Sequence, residues 1–410
     1  MDKFELLRQK TIEEHRKKQL KAMIFDPLSI EELTDILGLT IKSDEQNKVA
    51  TFLCQLSAYT KDSQFNISFV APSSTGKSYI PIEVSKLFPK EDVITIGYCS
   101  PTAFFHDQSS YNKETSQSIV DLERKVLIFL DQPHTLLLQH LRPLLSHDKK
   151  EINLKITDRS KRQLRTKNIV IKGFPAVIFC TAGLKIDEQE TTRFLLLSPE
   201  TSQEKIREAV TERLKKEADS QAYNDWLEQD PKRQELKKRV EAIKELRVKE
   251  IRISKNLSQQ VEEKFFLKHK LLKPRHSRDI SRLVALAKSS ALLNLWTRKT
   301  EEDGIIEVKE EDFNNAFKIW RVISESQELN LPPYILELYK KVISSLWKEG
   351  KIGITRQNIC KRHYEVYGRP LSEAQLRQDI LPMLEQSGLI FQEADPSDKR
   401  RMLVFLVEKN

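Results

Sequence analysis

The sequence predicts an α/β protein in which helices flank a parallel β-sheet, followed by a helical region and a small C-terminal domain. Three apolar segments carry this prediction, at residues 67–70, 126–130 and 175–183. Each is a candidate buried strand, because parallel strands covered on both faces have continuously apolar sequences. The carboxyl ends of such strands meet at one edge of the sheet. We therefore expect the polar residues that follow the first two segments to share a site.

Residues 71–78, with the sequence Ala-Pro-Ser-Ser-Thr-Gly-Lys-Ser, form the strongest motif. They follow a strand and precede a predicted helix at residues 79–87, which is the context of a phosphate-binding loop. Backbone N–H groups would face the phosphates, Lys77 would reach the β and γ phosphates, and Ser78 would bind Mg²⁺. Ala71 replaces the usual glycine, which the loop tolerates while φ stays negative. The predicted nucleotide-binding residues are Ser73, Ser74, Thr75, Gly76, Lys77 and Ser78.

Asp131 follows the apolar segment at residues 126–130, so we predict that it coordinates the nucleotide's Mg²⁺, directly or through water. Thr181 brings a hydroxyl group to the end of the segment at residues 175–183. Another strand is predicted at residues 93–97. The polar segment after it, residues 100–113, contains aromatic residues and is equally consistent with a surface loop and a substrate-facing segment.

Residues 151–172 alternate apolar and polar side chains around a polar tip, which predicts a β-hairpin. Basic residues dominate its central part, where Asp158 is the one acid. Such one-sided charge suits contacts with nucleic-acid phosphates, and a solvated hairpin is the alternative. The candidate DNA contacts are Lys155, Arg159, Lys161, Arg162, Arg165 and Lys167.

Helices are predicted for most of residues 1–42, 45–59 and 201–324, and residues 29–33 are typical of a capped helix start. Residues 201–253 are dense in both signs of charge and predict a long, exposed helix pair broken near Asp230 and Pro231. After Pro332 and Pro333, three helical patterns and two apolar segments predict a winged helix, which binds either DNA or proteins. Its candidate DNA contacts, from the third helix and the wing, are Gln375, Arg377, Gln378, Lys399, Arg400 and Arg401.

Composition is consistent with two or three domains in 410 residues, of which 39% are hydrophobic and 31% charged. The apolar runs are too short to span a bilayer, and the charged first 21 residues do not resemble a signal peptide. We therefore expect a cytoplasmic protein with no membrane partner. Four scattered cysteines without a CxxC pair argue against a disulfide framework or a zinc site. The net charge of +9 permits a nucleic-acid partner without requiring one.

In their order, these motifs resemble those of an AAA+ ATPase: phosphate loop, acid-ended strand, basic hairpin, threonine-ended strand, arginine before an apolar run, and helical lid. The chain most resembles the minichromosome maintenance helicases. Thr192-Arg193-Phe194 is similar to their arginine-finger motif, and residues 278–287 are similar to their lid helix. Archaeal members also end in a winged helix. The family's large N-terminal DNA-binding collar has no counterpart, so the resemblance implies a compact relative from a mobile element or virus.

The resemblance implies a role for each matching residue. Asp131 and Ser78 would hold the metal, Thr181 would orient the attacking water, and Arg278 would be the sensor-2 arginine of the lid. Arg193 would act as a finger on a neighbour's γ-phosphate, which requires an oligomer, by resemblance a hexameric ring. The implied domains are an N-terminal helical extension (1–60), an AAA+ core (61–200), a lid with a charged insertion (201–328) and a winged helix (333–410).

Gln132 departs from the family pattern, in which a catalytic glutamate follows the metal acid. A carboxylate can take a proton from water, whereas a neutral amide can only orient it. Three interpretations stay open: Gln132 orients water, a carboxylate from elsewhere serves, or hydrolysis is slow and the nucleotide acts as a switch. Thr181 is also a departure, since asparagine is commoner at that position.

The leading hypothesis is an ATP- and Mg²⁺-dependent DNA helicase or translocase that acts in replication on single- or double-stranded DNA. The alternative is an ATP-gated, slowly hydrolysing initiator, loader or transposition regulator that binds DNA, which Gln132 favours. A winged-helix regulator with a nucleotide switch is a third hypothesis. A small-molecule kinase is the weakest, because Arg193 and the C-terminal domain have no use in it.

Overall fold

The computed structural model describes residues 3–107, 109–112, 117–158, 165–183, 192–300, 302–350 and 353–407. A parallel sheet lies at its centre. The strands of this sheet are β1 (Asn66–Val70), β2 (Val93–Ile96), β5 (Val126–Phe129), β8 (Ala176–Thr181) and β9 (Phe194–Leu197). Their order is β2-β5-β8-β1-β9, and every neighbouring pair is parallel. All residues of β1, β5, β8 and β9 are buried, which accounts for the entirely apolar sequences of β5 and β9.

Helices pack on both faces of this sheet and continue to the C-terminal region. They are α1 (Lys3–Ala22), α2 (Ile30–Gly38), α3 (Glu45–Ser57), α4 (Tyr79–Ser85), α5 (Pro101–Asp107), α6 (Thr135–Leu145), α7 (Gln203–Ala218), α8 (Ser220–Gln229), α9 (Pro231–Leu246), α10 (Lys255–Lys268), α11 (His276–Leu293), α12 (Glu310–Glu328), α13 (Pro333–Leu338), α14 (Ser344–Gly350), α15 (Arg356–Tyr367), α16 (Glu373–Gln375) and α17 (Leu381–Gln386). The predicted α/β core with flanking helices is therefore confirmed.

The two faces of the sheet have separate cores. Ile67 and Ile178 face a core that α3, α4 and α11 complete, whereas Leu127 and Phe179 face a core that α5 and α6 complete. Alternate residues of each strand point to opposite faces, so both cores are built from the same few strands.

The N-terminal segment forms two helices within the helical stretch predicted for residues 1–42, and the second begins after the capped start predicted at Ser29. Pro27 separates α1 from α2, because the residue before a proline is disfavoured in helical conformation. Ser29 begins α2 with a capping box: its hydroxyl accepts the Glu32 N–H at 3.1 Å, and the Glu32 carboxylate accepts the Ser29 N–H at 3.0 Å. In α3, every residue from 47 to 57 is buried, so this helix is part of the core of the protein.

A second sheet lies outside α5 and α6. It contains β3 (Ser109–Asn112), β4 (Gln117–Asp121), β6 (Glu151–Asp158) and β7 (Arg165–Lys172), in the order β3-β4-β7-β6. The predicted hairpin is confirmed, since β6 and β7 pair antiparallel from Glu151 opposite Lys172 to Asp158 opposite Arg165.

In its described part, the segment at residues 100–113 is not a surface loop, which was one of the two alternatives that its sequence left open. It contains α5 and β3, and Phe104 and Phe105 are buried. The Phe104 ring lies 6.4 Å from that of Phe129, so the aromatic residues complete the second core. Its buried aromatic pair, rather than its polar residues, determined the local structure.

Gly173 connects the second sheet to β8 with φ +89°, a conformation that only glycine adopts readily. A Cβ atom at this position would lie 2.3 Å from the backbone nitrogen of Glu123. The contact is with backbone rather than with a flexible side chain, so it cannot be relieved by a rotamer change.

We expect Gly173→Ala to lower the free energy of unfolding by about 3 kcal/mol or more, from the left-handed conformation and the backbone clash together. Urea unfolding would measure it. Gly388→Ala is the matched control: its φ is +72° and no atom lies within 4 Å of the added Cβ, so about 1–2 kcal/mol is expected. Equal losses in both variants would show that the clash contributes nothing.

The charged region after the core contains three helices, α7, α8 and α9, rather than the predicted exposed pair. Leu236, Val240 and Ile243 of α9 are buried, so this helix is not a solvated one. The guanidinium of Arg239 lies over the rings of Phe25 and Trp296 and donates a hydrogen bond to the Leu293 carbonyl at 3.1 Å. The apolar stripe of α9 was hidden in the sequence by its charged neighbours.

The C-terminal region packs directly on the central sheet. It contains helices α13 to α17 and a three-stranded antiparallel sheet of β12 (Ile354–Thr355), β14 (Met402–Leu406) and β13 (Ile390–Ala394), in that order. Val70 and Leu196, at the ends of β1 and β9, belong to its apolar core. The Ser198 hydroxyl donates to the Val70 carbonyl at 2.7 Å and accepts the Tyr334 N–H at 3.2 Å, which joins this region to the end of β1.

Among the described residues, no helix combines the length and the apolar character that crossing a membrane requires.

Burial lowers the pKa of His147, His269 and His363 below the usual value of about 6.5. The unfolded chain then binds protons more readily than the folded protein, so stability is present above pH 6.5 and is lost as the pH falls below it. We expect each of these histidines to lower the free energy of unfolding by up to about 1.4 kcal/mol for each pH unit below 6.5. Urea unfolding at a series of pH values between 7.5 and 5 would measure this effect.

His363→Gln is the matched variant, because the His363 ring contacts the Arg369 carbonyl at 3.1 Å and an amide can donate the same hydrogen bond. The variant should show a shallower pH dependence. An unchanged slope would exclude His363 as a contributor.

Candidate nucleotide-binding site

The sheet register brings the predicted phosphate loop, Thr181 and Asp131 to one edge. Val70 is opposite Thr181, and Phe129 is opposite Phe179, so Asp131 stands level with Thr181 just beyond the strand end. The Ala71 N–H donates to the Thr181 carbonyl at 3.2 Å, which continues the pairing into the loop. Since β8 lies between β1 and β5, its terminal hydroxyl is held between the loop and the acid.

The loop at residues 71–78 has the backbone of a tight phosphate cradle. Gly76 has φ +90° and Ser74 has φ +64°, so the chain reverses twice within three residues. The Thr75 hydroxyl closes the loop by donating to the Pro72 carbonyl at 2.9 Å. The Lys77 ammonium lies 3.5 Å from the same carbonyl, across the mouth of the loop. Successive N–H groups in such a turn form an anion-binding concavity.

Cys180 is a buried residue of β8 that lies close to Lys77, Ser78 and Asp131. Its thiol lies 3.3 Å from the Lys77 carbonyl oxygen, hydrogen-bonds with the Ser78 side chain and is close enough to feel the charge of Asp131. Burial raises the pKa of this thiol to about 12, so it stays neutral and serves packing. Sequence reasoning missed Cys180, although its place next to Thr181 in a buried strand was a usable signal.

The oxygen groups of Ser78 and Asp131 fit Mg²⁺, which prefers a few oxygen ligands and keeps the rest of its shell for phosphate and water. In the described part of the chain, no cluster of three or more histidine, cysteine or acidic side chains could bind a metal alone.

Gln132 forms a short hydrogen-bond chain with Thr181. The Gly183 N–H donates to the Thr181 hydroxyl oxygen at 2.9 Å, and that hydroxyl donates to Oε1 of Gln132 at 3.1 Å. The amide oxygen of Gln132 is thus engaged, and the NH₂ group is the part of the amide that this hydrogen-bond chain does not use. An NH₂ group offers only donors, so it can bind a phosphate oxygen or a water oxygen but cannot accept a proton.

A cavity of roughly 680 Å³ opens beside the loop, large enough for a nucleotide. Residues 73–76 and Tyr79 line one side of it, and apolar residues of α7 line another. The α7 residues are Ile206, Ala209, Val210 and Leu214. Ile206, Val210 and Leu214 are 46%, 54% and 65% exposed, which suits an apolar surface for the base of a nucleotide.

Arg193 and Arg278 lie at the other end of the sheet. Arg193 precedes β9, whose first residue, Phe194, is opposite the first residue of β1, so a whole strand separates it from the loop, roughly 17 Å. Arg193 Nε donates to the Ser146 hydroxyl at 2.7 Å. Arg278, at the start of α11, hydrogen-bonds with the hydroxyl of Thr192, so the two arginines belong to one edge.

Arg282 and Asp279, which sequence reasoning did not single out, support this edge. Arg282 donates to the Thr192 carbonyl, and Asp279 accepts hydrogen bonds from Arg282 at 3.1 Å and from Arg275 at 2.9 Å. Asp279 and Arg282 are buried, so they hold the turn before β9 in place.

The predicted DNA contacts are only partly described. Lys155 is exposed on β6, whereas Arg159, Lys161 and Arg162 lie outside the described residues, and only the backbone of Arg165 and Lys167 is described, in β7. In the C-terminal region, the side chains of Arg377, Gln378, Lys399, Arg400 and Arg401 are all exposed. Arg377 and Gln378 lie on the helical segment before α17, and the other three lie between β13 and β14.

The loop geometry, the parallel sheet and the acid opposite Thr181 define a P-loop nucleotide-binding protein. The chain belongs to the MTBMA_p00010 P-loop domain family, whose sequence model matches residues 17–239. None of the curated proteins matches the chain. The matched segment begins in α1 and ends in α9, so it includes the buried α3 and the α7 wall of the cavity together with the sheet.

Proposed function

We propose that this protein is an oligomeric ATPase of the AAA+ type that acts on DNA as a helicase or translocase in replication, in a mobile element or virus. The observation that carries the proposal is the separation of two half-sites. Lys77, Ser78, Asp131 and Thr181 lie at one end of the sheet, and the arginine pair lies at the other. An arginine roughly 17 Å from its own loop can act on a nucleotide only in a second copy.

In this proposal, Lys77 and the loop would bind the phosphates, and Ser78 and Asp131 would hold Mg²⁺. Water would attack the γ-phosphorus, the bond to the bridging oxygen of ADP would break, and the proton of the water would pass to a phosphoryl oxygen and on to solvent, because the amide of Gln132 cannot accept it. Gln132 and Thr181 position that water, and a neighbour's Arg193 and Arg278 stabilise the charge that develops on the γ-phosphoryl group. Closure of the interface is therefore needed for hydrolysis.

The strand order supports the AAA+ assignment. A sensor on β8 must lie between the phosphate loop and the metal acid, and β8 lies between β1 and β5. Residues 201–328 would form the lid, and residues 333–410 would form a winged helix, whose three helices and antiparallel strands agree with α13 to α17 and the β12-β14-β13 sheet. Residues 1–60 would then be the helical extension that α3 ties into the core.

DNA contact is proposed for two exposed basic surfaces, the β6–β7 hairpin with Lys155 and the C-terminal region with Arg377 and Lys399 to Arg401. In a ring, the phosphate contacts of all the subunits would add up. Binding should then be cooperative in protein concentration and strongly dependent on salt.

A second candidate function is an ATP-gated switch, an initiator or loader that hydrolyses slowly. The hydrogen-bond chain through Thr181 favours it, because the group that Gln132 presents is a donor. Such a protein would bind DNA in the presence of ATP and release it only over many minutes.

Steady-state ATP hydrolysis with and without single- and double-stranded DNA separates the two functions. For the motor we expect DNA to raise turnover at least about tenfold, and Lys77→Ala to abolish both basal and stimulated rates. For the switch we expect negligible turnover with DNA and ATP-dependent DNA binding on a gel-filtration column. Absence of nucleotide binding would contradict both.

A further inference from the structure

The C-terminal region contributes to the cavity beside the phosphate loop. Tyr367 and Arg369 line this cavity together with residues 73–76. Tyr367 is the last residue of α15, and Arg369 lies in the turn after it, far from the loop in the sequence. No sequence motif marks these two residues, and only the packing of the C-terminal region on β1 brings them there.

The turn that carries Arg369 is held firmly. Gly368 ends α15 in the left-handed conformation with φ +66°, and its N–H donates to the Tyr364 carbonyl at 2.8 Å. The buried His363 contacts the Arg369 carbonyl at 3.1 Å, and the guanidinium of Arg369 lies 6.0 Å from the centre of the Tyr367 ring. The backbone of this turn is thus fixed, and Arg369 lines both the cavity beside the phosphate loop and a neighbouring pocket that includes Ala71 and Pro72.

The charges around the cavity leave Arg369 available for an anion. Lys205 is paired with Asp44, Lys42 with Glu212 at 3.4 Å, and Arg213 with Glu217 at 2.9 Å. Within the described part of the chain, the Arg369 guanidinium makes no hydrogen bond or ion pair. Cations outnumber carboxylates in the lining, although Glu200 is one of the acids there and burial raises the pKa of its carboxyl.

We propose that Arg369 binds a phosphate group of the nucleotide in its own subunit and thereby couples nucleotide binding to the position of the C-terminal region. This inference rests on the proposed nucleotide site and adds a residue to it. Arg278 cannot supply a cation here, because it lies at the other end of the sheet. Guanidinium suits the task, since its planar donors match two phosphate oxygens.

The coupling has a structural route. Arg369 would hold the C-terminal region from the ligand side, while Ser198 joins Tyr334 to the Val70 carbonyl from the strand side. Both connections converge on residues 70–76. A nucleotide would therefore tighten the contact between the C-terminal region and the sheet.

The test measures binding of a fluorescent, non-hydrolysable ATP analogue to the full-length protein with Mg²⁺. We expect Arg369→Ala to weaken binding about 10- to 100-fold, the usual effect of losing one charge-assisted hydrogen bond, and Arg369→Lys to weaken it less. Lys361 is an exposed cation on α15 and does not line the cavity, so Lys361→Ala should bind the analogue as the wild type does. Amide exchange at residues 356–370 should slow on binding in the wild type but not in Arg369→Ala at saturating analogue.

Wild-type affinity in Arg369→Ala would overturn the contact while leaving the nucleotide site intact. If Arg369→Ala weakens binding but amide exchange at residues 356–370 still slows at saturating analogue as it does in the wild type, the coupling would be overturned. A wild-type protein that binds no analogue at all would overturn both this inference and the proposed ATPase. Lys77→Ala is the control for absent binding, because it removes the lysine of the phosphate loop.

Discussion

Arg193→Ala should reduce ATP hydrolysis by about 10³-fold or more while leaving ATP binding nearly unchanged. The guanidinium is a strand's length from its own phosphate loop, so its loss removes charge stabilisation from a neighbour's site and not from the site of the same subunit. Lys77→Ala should be equally inactive for a different reason, since it loses the nucleotide itself.

Mixing the two inactive variants tests the arrangement directly. In a mixed oligomer, some sites combine the intact loop of an Arg193→Ala subunit with the intact arginine of a Lys77→Ala subunit. We expect activity to reappear on mixing and to rise with total protein concentration. If Arg193 acts within its own subunit, every mixture stays inactive, and the oligomeric ATPase proposal fails.

Ser146→Ala is the matched control for the structural role of Arg193. It removes the 2.7 Å hydrogen bond but keeps the guanidinium. We expect turnover to fall by no more than about tenfold, because one hydrogen bond from a charged guanidinium at a half-buried site is worth about 1.5 kcal/mol. A loss as large as that of Arg193→Ala would assign the arginine to holding the turn before β9.

Gln132→Glu should raise turnover by about 10²-fold or more if proton removal limits the reaction. The Thr181 hydroxyl can donate to one carboxylate oxygen as it does to the amide, at the same 3.1 Å separation. The second carboxylate oxygen then faces the site as an acceptor, where the wild type has an NH₂ group. Single-turnover ATP hydrolysis would measure the chemical step without product release.

Gln132→Ala and Thr181→Val complete this comparison. If Gln132 orients water, Gln132→Ala should be slower than the wild type, and Thr181→Val should fall with it because the amide loses its partner. If the amide of Gln132 slows hydrolysis, Gln132→Ala should hydrolyse ATP as fast as the wild type or faster. A Gln132→Glu variant as slow as the wild type, with normal ATP binding, would show that the proton acceptor lies elsewhere.

The local sequence was enough to predict the segments that form the candidate nucleotide-binding site. The phosphate loop, its strand and the strand before Asp131 are short, contiguous and strongly patterned, and each was predicted at its place. The capping box at Ser29 and the β6–β7 hairpin were readable for the same reason, since their interactions join residues close in the chain. The α/β class followed from these segments alone.

Only the tertiary structure decided how distant segments meet. The parallel order of strands places Thr181 between Asp131 and the loop, and engages the amide oxygen of Gln132. Burial made α9 part of the core despite its charged sequence, and turned residues 100–113 into a helix and a strand around Phe104. The same packing brought Arg369 to the cavity. Such contacts depend on which faces are buried together, a property of the folded chain that no local pattern encodes.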